Sequence, residues 1–174
     1  MSRIERASHI SIVVVSIAAF VCLIPTLRSS LFPSQHSVAA SRMVGKKFEL
    51  PGAHWARGST TVVAALSSRC PFCIASLPFY RELSSIAAAS RGRVSLLVAS
   101  TTPDVDGVRT LLQDYDVVPA KIVQASLRNL HASGTPTIYV VDASGTIKWA
   151  HVGQLDDSLQ KELLRLLNGL GAHE

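Results

Sequence analysis

Apolar and polar positions fall into three regimes along the chain. Ile10 to Ile24 is apolar apart from Ser11, Ser16 and Cys22, follows Arg3, Arg6 and His9, and can be extended through Pro25 and Thr26 to Leu27. At about 18 residues it meets the lower limit for a membrane-crossing helix. Ser29 to Ser41 is polar and contains Pro33, as a linker would. From Gly45 the pattern becomes that of a packed body. Lys47–Leu50 reads as a short strand before Pro51-Gly52. Thr60–Leu66, a β-branched and nearly unbroken apolar run, reads as a strand buried on both faces. Pro71–Ala89 carries Ile74, Leu77, Leu83, Ile86 and Ala87 near helical spacing, with Pro78 as an internal kink. Val94–Ala99 is a second strand, and Thr102 or Asp104 can cap a helix through Leu111 and Leu112. A short strand at Ile122–Val123 and a helix around Ser126–His131 follow. Thr137–Val141, the turn Asp142–Gly145 and Thr146–His151 make a hairpin. Asp156 and Asp157 open a last helix with Leu159, Leu163, Leu166, Leu167 and Leu170 on one face, ended by Asn168-Gly169. The order predicts an α/β sandwich around a mixed central sheet.

The chain therefore divides into an N-terminal transmembrane anchor or signal (1–28), a linker (29–44) and one domain (45–172), long enough to bury a core without staples. Val38-Ala39-Ala40 resembles a signal cleavage site but lies well beyond the apolar run, which favours an uncleaved anchor. Ala19-Phe20-Val21 is too bulky for a lipidation site at Cys22, which reads as a small apolar residue of the helix. Arg3 and Arg6 then remain cytoplasmic and the body is exported. If the segment is cleaved, the domain is secreted. Of the net charge of +5, residues 1–42 hold +3, from Arg3, Arg6, Arg28 and Arg42 against Glu5. The domain is thus only mildly basic, without a Lys/Arg run or basic–aromatic stripe, so no nucleic-acid partner is expected.

Chemistry concentrates at Cys70-Pro71-Phe72-Cys73, where a strand gives way to a helix. Three cysteines in all exclude a disulfide framework. A cysteine at a helix N-terminus meets unpaired N–H groups and partial positive charge, which stabilise its thiolate. Pro71 suits the first helical position, where no N–H is needed. Cys73, one turn on, is placed to close a disulfide with Cys70. Cys70 can attack a substrate disulfide and Cys73 can resolve the mixed disulfide. Arg69 adds positive charge beside the nucleophile. A zinc site would need two further ligands, and His54, His131 and His151 form no pair at metal spacing. No cofactor and no resident metal are expected.

On these residues, and on the order in which they occur, Gly45–Leu170 resembles the thioredoxin superfamily. An apolar strand leads into Cys70-x-x-Cys73, and Pro78 stands five residues past the second cysteine. Gly134-Thr135-Pro136-Thr137 precedes a strand, and a hairpin ends at Gly153 before an amphipathic helix. The resemblance implies a three-layer sandwich in which the Thr135–Pro136 bond is cis and offers backbone groups to an extended substrate. The lead-in Gly45–Gly52 and the long separation of Cys70 from Pro136, with its surplus at Asp114–His131, are most similar to the TlpA/ResA branch. That implies a membrane-tethered thiol–disulfide oxidoreductase acting on exported protein thiols or disulfides, several such proteins serving cytochrome c maturation, with a membrane-embedded electron donor or acceptor. The implied site is Cys70 and Cys73 as the redox pair, with Thr135, Pro136 and Phe72 contacting substrate. The chain departs from the pattern at Arg69, where the family usually has Trp. It also departs at Ala64 and Ser76, where relatives carry an acid. Glu82 is placed on a solvated helix face.

Two alternatives sit on the same fold. A peroxiredoxin-like peroxidase would show Pro and Thr seven and three residues before its cysteine, where this chain has Val63 and Ser67. An exported copper or zinc chaperone could use the thiolates with His131 or His151. Trp55 and Trp149 read as packing residues, Trp55 with a possible place at the active-site rim. His131 reads as a surface residue.

Overall fold

The computed structural model describes residues 42–171. Five strands form one mixed sheet in the order β3-β2-β1-β4-β5. β1 (Thr60–Leu66) is central. It pairs in parallel with β2 (Val94–Ser100) and antiparallel with β4 (Thr137–Val141). β3 (Lys121–Gln124) extends the parallel side and β5 (Ile147–Val152) the antiparallel side. β3 occupies the surplus stretch noted in the sequence. Both faces of β1 and β4 are covered, which is why neither strand alternates polar with apolar residues.

Four helices, α1 (Pro71–Ala75), α2 (Leu77–Ala89), α3 (Val105–Asp114) and α4 (Asp157–Gly171), complete the domain. All four send residues into one core cluster with Val62, Ala64 and Leu66 of β1 and Ile138 and Val140 of β4. The alternate residues Val63, Ala65, Tyr139 and Val141 pack under Phe48 and Leu50 on one side and Ala125 and Leu130 on the other. The layer on this face is therefore made of irregular chain, and the helix expected around Ser126–His131 is a single turn. Ala132 N–H bonds to Leu127 O and His131 N–H to Arg128 O, with His131 at φ 51, the hydrogen-bond pattern that ends a helix. Tyr139 Oη donates to Leu130 O at 2.7 Å and holds that turn against the sheet.

Other expectations change in detail. Lys47–Leu50 makes one bridge, Lys47 with Thr146, with Phe48 N–H bonded to Gly145 O, and Phe48 stacks on Trp55 and packs on Tyr139. Trp55 thus lies by the β4–β5 turn, away from the active-site end of the sheet. There Gly145, at φ 77, leaves room that a Cβ would fill at 2.7 Å from the indole. The helix expected over Pro71–Ala89 is two helices. Pro78 has no N–H to give the Ile74 carbonyl, and the chain breaks at Ser76, whose N–H bonds to Phe72 O and Cys73 O. Ile74 consequently faces outward. Asp104, one of the two candidate caps, accepts from Gly107 N at 3.0 Å. α4 runs past Asn168-Gly169 to Gly171. Its buried line is Leu163 and Leu167, flanked by Leu159 and Leu164, whereas Leu166 is 42 % exposed. The membrane helix expected in 1–28 lies outside the described residues. Among the described residues no helix is long and apolar enough to cross a membrane.

This rotation of α4 is testable by urea denaturation. Leu167→Ala should lower stability by about 2–5 kcal/mol, and Leu166→Ala should stay within about 0.5 kcal/mol of the parent.

Candidate active site

The site forms where β1 ends and β4 begins, two points that antiparallel pairing sets side by side through Ala65 and Thr137. The last carbonyl of β1, Leu66 O, accepts from Thr101 N at 2.8 Å and Thr101 Oγ1 at 3.0 Å. Ser68 Oγ donates to Asp104 Oδ2 at 2.7 Å, tying the loop to the start of α3. Cys70 N–H bonds to Ser67 O at 3.2 Å and turns the chain into α1.

Cys70 is the N-cap of α1, with extended backbone (φ −87, ψ 115), and Pro71 begins the helix. The cap role usually falls to a Ser, Thr, Asp or Asn oxygen. Here Cys70 Sγ takes it, accepting from Cys73 N at 3.3 Å. On the far side Cys70 Sγ donates to Thr135 O at 3.3 Å. The Thr135–Pro136 bond is cis. Pro136 O accepts from Gly153 N at 2.7 Å and Thr137 Oγ1 donates to Gly134 O at 2.7 Å, so the proline loop is held at both ends. The structure thus brings Cys70, Cys73, Thr135 and Pro136 together, with Phe72 beside them at 59 % exposure.

Both described cysteines are free thiols, and they differ in environment. Cys70 is half-buried. Burial acts against its thiolate, but hydrogen bonding from Cys73 and from the N–H groups of Cys73 and Phe72 prevails, and Cys70 lies below the ordinary thiol range. Cys73 is 0 % exposed. Burial first, and then its hydrogen bond with and charge repulsion from Cys70, push it up to about 12.

Arg69 is exposed, and its charge acts on the Asp104 carboxyl, which the Ser68 hydroxyl chiefly holds below the usual carboxylate range. Glu82 is on the exposed face of α2. His131 borders a groove with Phe48 and Trp55, on the sheet face opposite Cys73. His151 stacks on Trp149 in β5. Among the described residues no group of three or more His, Cys, Asp or Glu side chains could hold a metal ion. Sequence reasoning passed over Tyr80, buried behind Cys73. Its signal was the spacing Cys73, Leu77, Tyr80, which keeps all three on one helical face.

The unlike thiols predict unlike reactivity. Iodoacetamide should modify Cys70 at lower pH than an ordinary thiol and leave Cys73 unmodified until the pH approaches 12, as read by mass spectrometry of the reduced protein against pH.

No family model matches the sequence, and no curated protein matches it. Solved structures do. A thiol-disulfide isomerase from Corynebacterium glutamicum superposes with TM-score 0.54 at 18 % identity, over 75 % of this chain and 94 % of that one. The thioredoxin domain of a thiol-disulfide oxidoreductase from Bacteroides vulgatus gives 0.53 at 16 %, over 64 % and 81 %. A secreted disulfide oxidoreductase from Mycobacterium tuberculosis, homologous to DsbE of E. coli, gives 0.51 at 21 %, over 64 % and 82 %. At such identities the likeness is one of architecture, and with a cysteine pair at the β1–α1 junction facing a cis-proline loop the chain has the thioredoxin-like fold shared by these proteins.

Proposed function

We propose that the chain is a protein thiol–disulfide oxidoreductase that works through Cys70 and Cys73. The observation that carries this reading is the pairing of an accessible, acidified thiol at a helix N-cap with a buried, high-pKa thiol one turn on, both against the Thr135–Pro136 loop. Cys70 thiolate attacks a substrate disulfide, forming a mixed disulfide and releasing one substrate thiol. Cys73 then attacks Cys70 Sγ, closing the Cys70–Cys73 disulfide and releasing the second substrate thiol. Two electrons pass from protein to substrate, and the reverse sequence passes them back. Thr135 and Pro136 border Cys70 with the backbone an extended substrate would pair with, and Phe72 and Ile74 supply exposed apolar surface beside it.

The substrates in this reading are exported protein thiols or disulfides. The apolar, Arg-flanked segment within 1–28 supports a membrane-tethered domain outside the cytoplasmic face, served by a membrane-embedded electron donor or acceptor. The secreted Mycobacterium tuberculosis protein of the same fold is consistent with that placement. The resemblance to the TlpA/ResA branch supports a role in cytochrome c maturation.

The test is the reduction potential of the full chain, equilibrated with a dithiothreitol or glutathione couple. A reversible two-electron couple lost in both Cys70→Ser and Cys73→Ser is expected, and its absence from the parent overturns the reading. A potential well below the glutathione range marks a reductant and one near the strong oxidants a disulfide donor. With a protein disulfide as substrate, Cys70→Ser should abolish exchange, while Cys73→Ser should accumulate the mixed disulfide on Cys70, visible on a non-reducing gel.

A further inference from the structure

Cys70 opens to solvent through a border that is nearly without charge. Residues 67–75, 101–103 and 133–137 converge on the end of β1, and besides the two thiols they hold one ionisable side chain, Arg69. Arg69 is exposed and makes no ion pair among the described residues. Two acids flank the site, and both are committed. Asp104 accepts from Ser68 Oγ at 2.7 Å and from Gly107 N at 3.0 Å. On the other side Gly153, bonded to Pro136 O, leads to Asp156. Asp156 accepts from Ser158 Oγ at 2.6 Å and from Leu159 N at 2.9 Å, and lies by His151. Each carboxylate is thus tied to the first turn of a helix, α3 or α4, whereas the Arg69 guanidinium has no such tie. Against burial, the groups that hold the Cys70 thiol down are Cys73, Thr135 and Phe72, and Arg69 is not among them. Its charge is left for whatever approaches Cys70.

Resting on the exchange reaction proposed above, we infer that Arg69 is a specificity-determining residue, favouring protein disulfides with a carboxylate side chain within three residues of the cysteine that Cys70 attacks. An extended substrate lying against Thr135 advances about 3.3 Å per residue, so those side chains pass within the span of an arginine one residue from the nucleophile. Phe72 and Ile74 offer apolar surface beside it, and the segment that suits the site is acidic and apolar together. Arg69 exchanges no atom and no electron. In the step it favours, Cys70 Sγ bonds to the near substrate sulfur, the substrate S–S bond breaks, and the departing sulfur takes a proton from solvent. An exposed ion pair changes such a rate by a factor of about two to five, and the attraction fades as salt shortens its range.

The experiment uses the full chain, reduced, as parent, Arg69→Gln, Arg69→Lys and Arg69→Glu. Cys70 is alkylated with iodoacetate and, separately, with iodoacetamide. The two reagents are of like size and meet the same thiolate, so the ratio of their rates reads the charge at the site and cancels pKa and access. At about 10 mM salt the iodoacetate-to-iodoacetamide ratio should fall about two- to fivefold in Arg69→Gln and further in Arg69→Glu. It should hold in Arg69→Lys, and the differences should shrink at about 0.5 M salt. The iodoacetamide rate should be unchanged throughout. Two peptide disulfides that differ only by Glu or Gln beside the cysteine carry the measurement to exchange. The parent should react about two- to fivefold faster with the Glu peptide, and Arg69→Gln equally with both. A ratio equal in parent and Arg69→Gln, or both alkylation rates falling together, overturns the inference. The ratio needs no disulfide exchange, so it stands even if the chain has no such activity. Exchange of both peptides by the parent at one rate leaves the oxidoreductase reading intact and overturns this one.

Discussion

The antiparallel pairing of β1 with β4 is the constraint on which the site depends. Ala65 faces Thr137 across the ladder, so the chain leaving β1 toward Cys70 and the chain entering β4 from Pro136 emerge at the same edge of the sheet. A slip of one residue would exchange the two faces of β4. Those faces have different partners: Ile138 and Val140 meet the helices, while Tyr139 meets Phe48 and bonds to Leu130 O. A slip would carry the Tyr139 hydroxyl into the apolar helical side and leave the Leu130 carbonyl without its donor. Register is thereby held by a buried hydrogen bond as well as by shape, and the contact between Cys70 Sγ and Thr135 O follows from it.

Given that frame, one turn of helix makes two chemically different thiols. Cys70 stands at the N-cap, where the Cys73 N–H points at its sulfur and one side stays open. Cys73 faces the core between sheet and helices. Hydrogen bonding lowers the first pKa and desolvation raises the second. The asymmetry suits a pair in which one sulfur meets substrate and the other acts only from within. The break at Ser76 belongs to the same design: Pro78 cannot continue α1, and α2 starts afresh so that Leu77, Phe79 and Tyr80 are buried behind Cys73.

Much of this was legible in the chain. The unalternating run Thr60–Leu66, the Cys70–Cys73 pair after it, and Pro136 before Thr137–Val141 mark the central strands and the two loops between which the site lies. Local chemistry at those positions is strong: Pro71 can begin a helix but Pro78 cannot pass through one, and Asp104 caps because its carboxylate reaches Gly107 N. Where reading failed, the deciding partner was distant in sequence. Leu166, spaced like a core residue, faces outward because α4 presents Leu163 and Leu167 to the sheet. The stretch Ser126–His131 carries helix-compatible residues yet closes after one turn, with Tyr139 holding Leu130 in place.

By itself the sequence determined the central strands, most of the helices, the strand-to-helix cysteine pair and the type of chemistry available to it, because periodicity, proline geometry and cap preference act over a few residues. Only the tertiary structure decided which thiol is accessible and which is buried, and that a loop residue sixty-five positions away accepts from Cys70. It also placed Tyr80 and Cys73 in one core cluster. Burial and the company a polar group keeps are sums over elements brought together from the whole chain, and desolvation, which depends on those sums, sets the chemistry of both sulfurs.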